Sequence, residues 1–177
     1  MNKIYPVLIV AFVVLSTACS SITNDIRVKV GVNSKADFSG YETYAWLGTG
    51  EIVHDPIGKW EPPDFDADAE IKFLIDRELR KRGMVERLQK PDLAVGFLAG
   101  VDMAALKLKN NPDTDMLRLE NVPQGALAIV LVDVSTGFAV WIGNASGELQ
   151  GKKITSADAR KRLDFAVTRM LALLPEK

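Results

Sequence analysis

The stretch Gln124-Gly-Ala-Leu-Ala-Ile-Val-Leu-Val-Asp-Val-Ser-Thr-Gly-Phe-Ala-Val-Trp-Ile-Gly-Asn-Ala-Ser-Gly-Glu-Leu-Gln150 decides how this chain folds. Two β-rich runs flank Ser135-Thr136-Gly137, a three-residue turn in which Gly137 can take the left-handed backbone a hairpin requires. In the first run Leu127, Ile129 and Leu131 fall on one face and Ala128, Val130, Val132 and Val134 on the other. Both faces are apolar, which predicts a strand covered on both sides and central to its sheet. In the second run Ala139, Gly143, Ala145 and Gly147 share a face with Trp141, leaving room for a packed helix.

Working outward, Thr155-Ser-Ala-Asp158 resembles a capping box. Leu163, Ala166, Val167, Met170, Leu171 and Leu174 then follow helical spacing, and Pro175 ends the run. On the other side, Asp92 to Leu98 reads as a strand entered through Pro91. Gly100 to Pro123 is ambiguous: Ala104 to Lys109 fits a turn of helix or an extended edge, and Asn110-Asn-Pro-Asp113 is a turn. Asp66 or Asp68 can cap a helix running to about Arg82, with Ile71, Leu74, Ile75 and Leu79 on one stripe and Gly83 as its stop. Gly48 to Phe65 holds three prolines and three glycines and has no steady period, which predicts a long functional or mobile loop. Tyr41 to Leu47 and Ile26 to Val32 read as strands, the latter alternating apolar and charged residues. The order strand, strand, helix, strand, hairpin, helix predicts a single α+β domain over 26–177. Two helices pack on a mainly antiparallel sheet of about five strands.

Length and charge agree with one domain. The chain has 177 residues, 47% hydrophobic and 25% charged, with a net charge of −1. That balance supplies no clustered basic face, so nucleic acid is excluded as the expected partner.

The N-terminus has a different composition. Lys3 precedes twelve uncharged residues, Ile4 to Leu15, and Ser16-Thr17-Ala18 lead into the only cysteine, Cys19. A charged start, a short apolar run and a small-residue cleavage site describe a secretory signal over 1–18. The run falls short of the roughly 20 residues a membrane-spanning helix needs. Leu15-Ser-Thr-Ala-Cys19 also resembles the lipobox of bacterial lipoproteins, with Leu15 one residue further from the cysteine than usual. The resemblance implies a diacylglycerol on the Cys19 thiol, cleavage just before it, and residues 19–25 as a short tether. Two or three acyl chains make such an anchor durable. Ser20, rather than Asp, after the cysteine implies sorting to the outer membrane. Plain secretion with a free thiol is the alternative.

Candidate sites are few. His54-Asp55 is the one place where a histidine could do acid–base work, but no nucleophile or metal ligand is signalled beside it, and a solvated loop histidine is the simpler expectation. Asp64, Asp66, Asp68 and Glu70 alternate like calcium-loop ligands, yet lack the loop glycine and the distal glutamate. Carboxylates at a helix start meet its dipole instead. Trp60, between Lys59 and Glu61 in the irregular loop, is a candidate for ligand recognition. Trp46, Tyr41 and Tyr44 are expected in the core with polar tips outward. Arg160-Lys-Arg162 and Lys152-Lys153 are expected on solvated faces.

Several pieces together resemble a bacterial envelope lipoprotein family known only as domain of unknown function 4136. They are Ala36-Asp-Phe-Ser-Gly-Tyr-Glu-Thr-Tyr-Ala-Trp46, Pro91-Asp-Leu-Ala-Val95, Gly125 to Asp133, Thr136-Gly137 and Val140-Trp141. Gly100 to Pro123 departs from that pattern. The resemblance implies an envelope lipoprotein and supplies no catalytic residue or cofactor. The expected protein is therefore a non-catalytic binding or interaction module on the periplasmic face of the outer membrane, held by lipid on Cys19. Its expected partners are membrane lipid and an envelope protein or small apolar ligand. A hydrolase using His54 with a loop aspartate, or a small-ligand carrier closed by the 48–65 loop over Trp60, are the competing expectations.

Overall fold

Leu127, Ile129 and Leu131 form the floor of the core, each almost fully buried on the strand that runs from Gln124 to Asp133. The computed structural model describes residues 22–110, 117–149 and 154–176, with side chains undescribed over 107–120. The signal segment, Cys19, the tip of the Asn110–Asp113 turn and Lys152-Lys153 lie outside the described residues.

Eight strands are described: β1 Arg27–Val32, β2 Thr43–His54, β3 Val85–Glu86, β4 Leu93–Asp102, β5 Leu106–Asn110, β6 Leu117–Asn121, β7 Gln124–Asp133 and β8 Ala139–Glu148. Two helices, α1 Ala67–Lys81 and α2 Ser156–Leu171, complete the α+β fold. The main sheet has six strands in the order β1-β8-β7-β4-β2-β3, and β5-β6 form a separate pair. The sheet is mixed rather than mainly antiparallel. β2 runs parallel to both β4 and β3, while β4-β7, β7-β8 and β8-β1 are antiparallel. The parallel pairing follows from the connection: α1 lies between β2 and β4 in the chain and carries it back over the sheet, as parallel neighbours require.

The expected hairpin is β7-β8. Gly137 has φ +74°, and its N–H donates to the Asp133 carbonyl at 2.8 Å. β7 is central in the sheet, between β8 and β4, but its two faces differ. One face meets the helices; on the other, Ala128, Val130 and Val132 are only half-buried. The side chains of Leu98 and Ile142 continue that outer face and are about half exposed.

Both helices cover the inner face. Asp66 caps α1 by accepting the Ala69 N–H, and Thr155 caps α2 by accepting the Asp158 N–H. The acidic residues ahead of α1 have structural partners: Asp68 accepts the Thr49 hydroxyl at 2.8 Å, Glu70 pairs with Arg160, and Asp64 accepts from Ser156. Trp141 is buried flat along β8, where Gly143 leaves room for its ring. Tyr44 is fully buried and its hydroxyl donates to Asp76 on α1 at 2.7 Å.

Two further expectations change. Gly48 to His54 is strand, not loop, and the irregular segment begins at Asp55. The strand's ladder is supplied by β4, whose partners lie 48 or 49 residues further along (Tyr44 with Leu93, His54 with Asp102), and a bulge at Leu47 breaks its period of two. Arg162 is not on a solvated face. It is buried against Asp25, with two 2.7 Å hydrogen bonds to that carboxylate, one to the Glu148 carbonyl and one to the Ile22 carbonyl.

Candidate functional site

His54, Asp55 and Trp60 sit at one end of the sheet, and a polar cleft opens at the other. His54 closes β2, is exposed, and among the described residues accepts and donates no side-chain hydrogen bond to a carboxylate. Asp55 turns the chain: its carboxylate accepts the Trp60 N–H at 2.5 Å, and that bond, with the amides of Ile57 to Lys59, holds its carboxyl below the usual range. Trp60 is half-buried in the same loop. The structure thus brings Asp55 and Trp60 together as a loop closure and leaves His54 apart from them.

At the opposite end, three segments surround a cleft of about 520 Å³. Asn33 to Tyr41 supplies one wall, Pro91-Asp92 the base, and Asp133 with the β7-β8 turn and Phe138 the other wall. Local rules place each piece. Asp37 caps a single 3-10 turn, Phe38–Gly40, by accepting the Ser39 N–H and hydroxyl. Phe38 and Tyr41 meet edge-on at 5.6 Å beneath it. Asp92 accepts the Thr43 hydroxyl at 2.7 Å and the amides of Glu42 and Thr43, so it splices the start of β2 to the start of β4. Asp133 accepts from the Ser135 hydroxyl and from the amides of Ser135 and Thr136, and its other oxygen takes the Tyr41 hydroxyl at 2.8 Å.

These contacts fix the charges. The Ser135 hydroxyl, then Tyr41 and the turn amides, hold the Asp133 carboxyl down to about 2 against the opposing effect of burial. Burial, then the Asp133 carboxylate, pushes the Tyr41 phenol up to about 12. The Thr43 hydroxyl and neighbouring amides likewise hold Asp92 below the usual range. At neutral pH the cleft therefore presents fixed carboxylates, hydroxyls of Ser135 and Thr136, and the exposed ring of Phe138, with Lys35 at its rim. Among the described residues no three His, Cys, Asp or Glu side chains are grouped to hold a metal ion. No described helix is long and apolar enough to cross a membrane.

Sequence reasoning did not name this cleft, although its residues were on view. Asp37, Tyr41, Asp92, Asp133 and Thr136 all lie in the motif stretches and meet only when β2, β4 and β7 align.

The architecture is an α+β domain in which two helices cover one face of a mixed sheet and a polar cleft opens at one end. The chain belongs to the family described as Domain of unknown function (DUF4136), whose model matches residues 28–176. Among solved structures, a DUF4136 family protein from Bacteroides thetaiotaomicron is 12% identical with a TM-score of 0.53, over 82% of this chain and 96% of that one. A PDZ domain protein from Parabacteroides distasonis is 15% identical with a TM-score of 0.49. The match covers 86% of this chain but only 37% of that longer one. The PelC dodecamer of Paraburkholderia phytofirmans is 15% identical with a TM-score of 0.45, over 82% and 98% of the two chains. Curated proteins contain no significant match to this sequence.

Proposed function

We propose that this protein is an envelope lipoprotein, held by acyl chains on Cys19 to the periplasmic face of the outer membrane, and that it works by binding rather than by turnover. The observation that carries the binding reading is the Tyr41–Asp133 pair. Burial and the Asp133 carboxylate push the Tyr41 phenol up to about 12, and the Ser135 hydroxyl, Tyr41 and the turn amides hold the Asp133 carboxyl down to about 2. An acid–base catalyst at neutral pH needs a group whose pKa lies near the operating pH, and these two are pinned far to either side. The pair fixes the cleft in place, and its exposed Thr136, Phe138 and Lys35 are what a polar ligand or partner would meet. Among the described residues no carboxylate is hydrogen-bonded to the His54 ring, which supports the same reading.

The membrane anchor rests on Cys19 at the end of the apolar run. Only residues 20 and 21 separate it from Ile22, where the Arg162 grip begins. Metabolic labelling with a palmitate analogue should mark the wild-type protein and leave Cys19→Ala unlabelled, and labelled protein should fractionate with outer membranes. Equal labelling of both proteins ends the anchor reading. A photocrosslinker placed at Phe138 should capture a ligand or a protein other than this chain in intact envelopes more often than one at Leu98 on the outer sheet face.

A further inference from the structure

The helices cover one face of the six-stranded sheet, and on the other face large aliphatic side chains stand in solvent. Leu98 is 52% exposed, Ile142 48%, Ile52 60% and Leu47 66%. Neighbouring atoms put these residues on a common side. A Cβ on Gly96 would lie 3.6 Å from the Val130 side chain and 3.8 Å from that of Leu47, and one on Gly50 would lie 2.8 Å from that of Leu98. Ile52 follows Gly50 on the same side by strand alternation. Register carries that side across the sheet, pairing Gly96 with Val130, Val130 with Ile142 and Leu98 with Ala128.

Size, charge and relief together define the occupant. Ala94 to Val101 pairs with Gly125 to Val132 without a break, a length of about 26 Å. Across β1, β8, β7, β4 and β2 the face is about 24 Å wide. Its flat projection is thus roughly 600 Å², at the upper end of the apolar patches that monomers leave in water. Two copies laid face to face would bury roughly 1,200 Å², which reaches the range of stable interfaces. Over that length the positions of β8, β7, β4 and β2 on this side carry no charge; Asn144 and Ser146 are the polar ones, and Arg27 and Lys29 stand at the β1 margin. Two such faces can close without stranding a charge. Gly31, beside Ile142, and Gly48, beside Gly96, leave hollows, because a Cβ on either would meet nothing within 4 Å. One patch therefore holds both raised side chains and hollows, as a self-complementary two-fold contact requires.

We propose that the outer sheet face is the contact between two copies of this chain, packed sheet on sheet at the spacing of about 10 Å that stacked sheets adopt. Leu98 and Ile142 lie in the middle of that contact. It uses none of the residues that line the cleft, and it stands whether or not Cys19 carries lipid.

The test uses the purified full chain in mild detergent, with a photocrosslinker at Leu98 or, as control, at Phe73, which is exposed on α1. Mixing heavy-isotope-labelled and unlabelled chains shows whether a crosslink joins two molecules. Leu98 should give a species of twice the monomer mass that carries both labels, linked to the outer face of the second copy, and Phe73 should not. In sedimentation the wild type should be a dimer at micromolar concentration. Leu98→Glu and Ile142→Glu should each weaken that dimer by about a hundredfold, because each charge enters the contact twice. A wild type that stays monomeric at about 100 μM overturns the proposal. So do folded glutamate variants that dimerise as the wild type does. A Leu98 crosslink made only to detergent or, in intact envelopes, to lipid or a different protein also overturns it. Circular dichroism shows that the variants are folded, and the crosslink stands on its own if one of them is not.

Discussion

Asp133 spends both carboxylate oxygens inside the fold, on the β7-β8 turn and on Tyr41. Its pKa is depressed to about 2, below the ordinary aspartate value of about 3.9. A group depressed on folding contributes stability that is present above its unfolded pKa and lost as pH falls through its folded one. The contribution should therefore disappear between about pH 4 and pH 2. Asp133→Asn should flatten the acid limb of stability against pH in that window and cost about 1–2 kcal/mol at pH 7. Urea titrations at several pH values measure both. An unchanged acid limb would show that the turn holds without the charge. Gly143 is a second single-residue constraint, because a Cβ there overlaps the six-membered ring of Trp141. Gly143→Val should destabilise by about 1–3 kcal/mol through overpacking, seen as a lower denaturation midpoint with a similar slope.

Among the elements, α2 joins distant parts of the chain. Its Arg162 binds Asp25 in a bidentate pair and reaches carbonyls of Ile22 and Glu148, and that pairing holds Asp25 below its usual range. The guanidinium is nearly buried, so removing it strands a carboxylate and two carbonyls. Arg162→Met should cost about 3–5 kcal/mol and raise hydrogen exchange first in residues 22–32. The elements were unevenly legible. α1, α2 and the β7-β8 hairpin carry their own signals, Asp66, Thr155 and Gly137, because caps and turns are local chemistry. β2 beyond Leu47 carried no such signal: its glycines and exposed Ile52 and Val53 become strand only through β4, and the bulge hides the alternation. The parallel direction of that pairing is likewise a property of the connection and not of either strand's residues. Ala104 to Lys109, which holds most of β5, read as a turn of helix or an extended edge because so short a span does not separate the two periods.

At the scale of the whole molecule, protection should follow sheet position. Amides of Leu127 to Leu131 and Val95 to Phe97, with β neighbours on both sides and helices above, should exchange slowest, and those of β1 and the β5-β6 pair fastest. Uniform exchange across the sheet would contradict this core. The cleft escaped sequence reasoning for a related reason. A histidine in an irregular loop advertises chemistry, whereas aspartates beside Ser, Thr and Gly look like turn formers, which they also are. Only the stacking of β2, β4 and β7 ends reveals that three such turns face one space.

The six register pairs between β1 and β8 have a mechanical meaning. A pull on the chain ahead of Ile22 first strains the guanidinium grip of Arg162 and the turn closed by the Ile26 N–H on the Thr23 carbonyl. Any load that runs on along β1 is shared by these ladder bonds in shear, instead of parting them one by one as in a peeled strand. The turn and the Arg162 grip thus stand between the amino terminus and the edge strand, and take up tension before its ladder does.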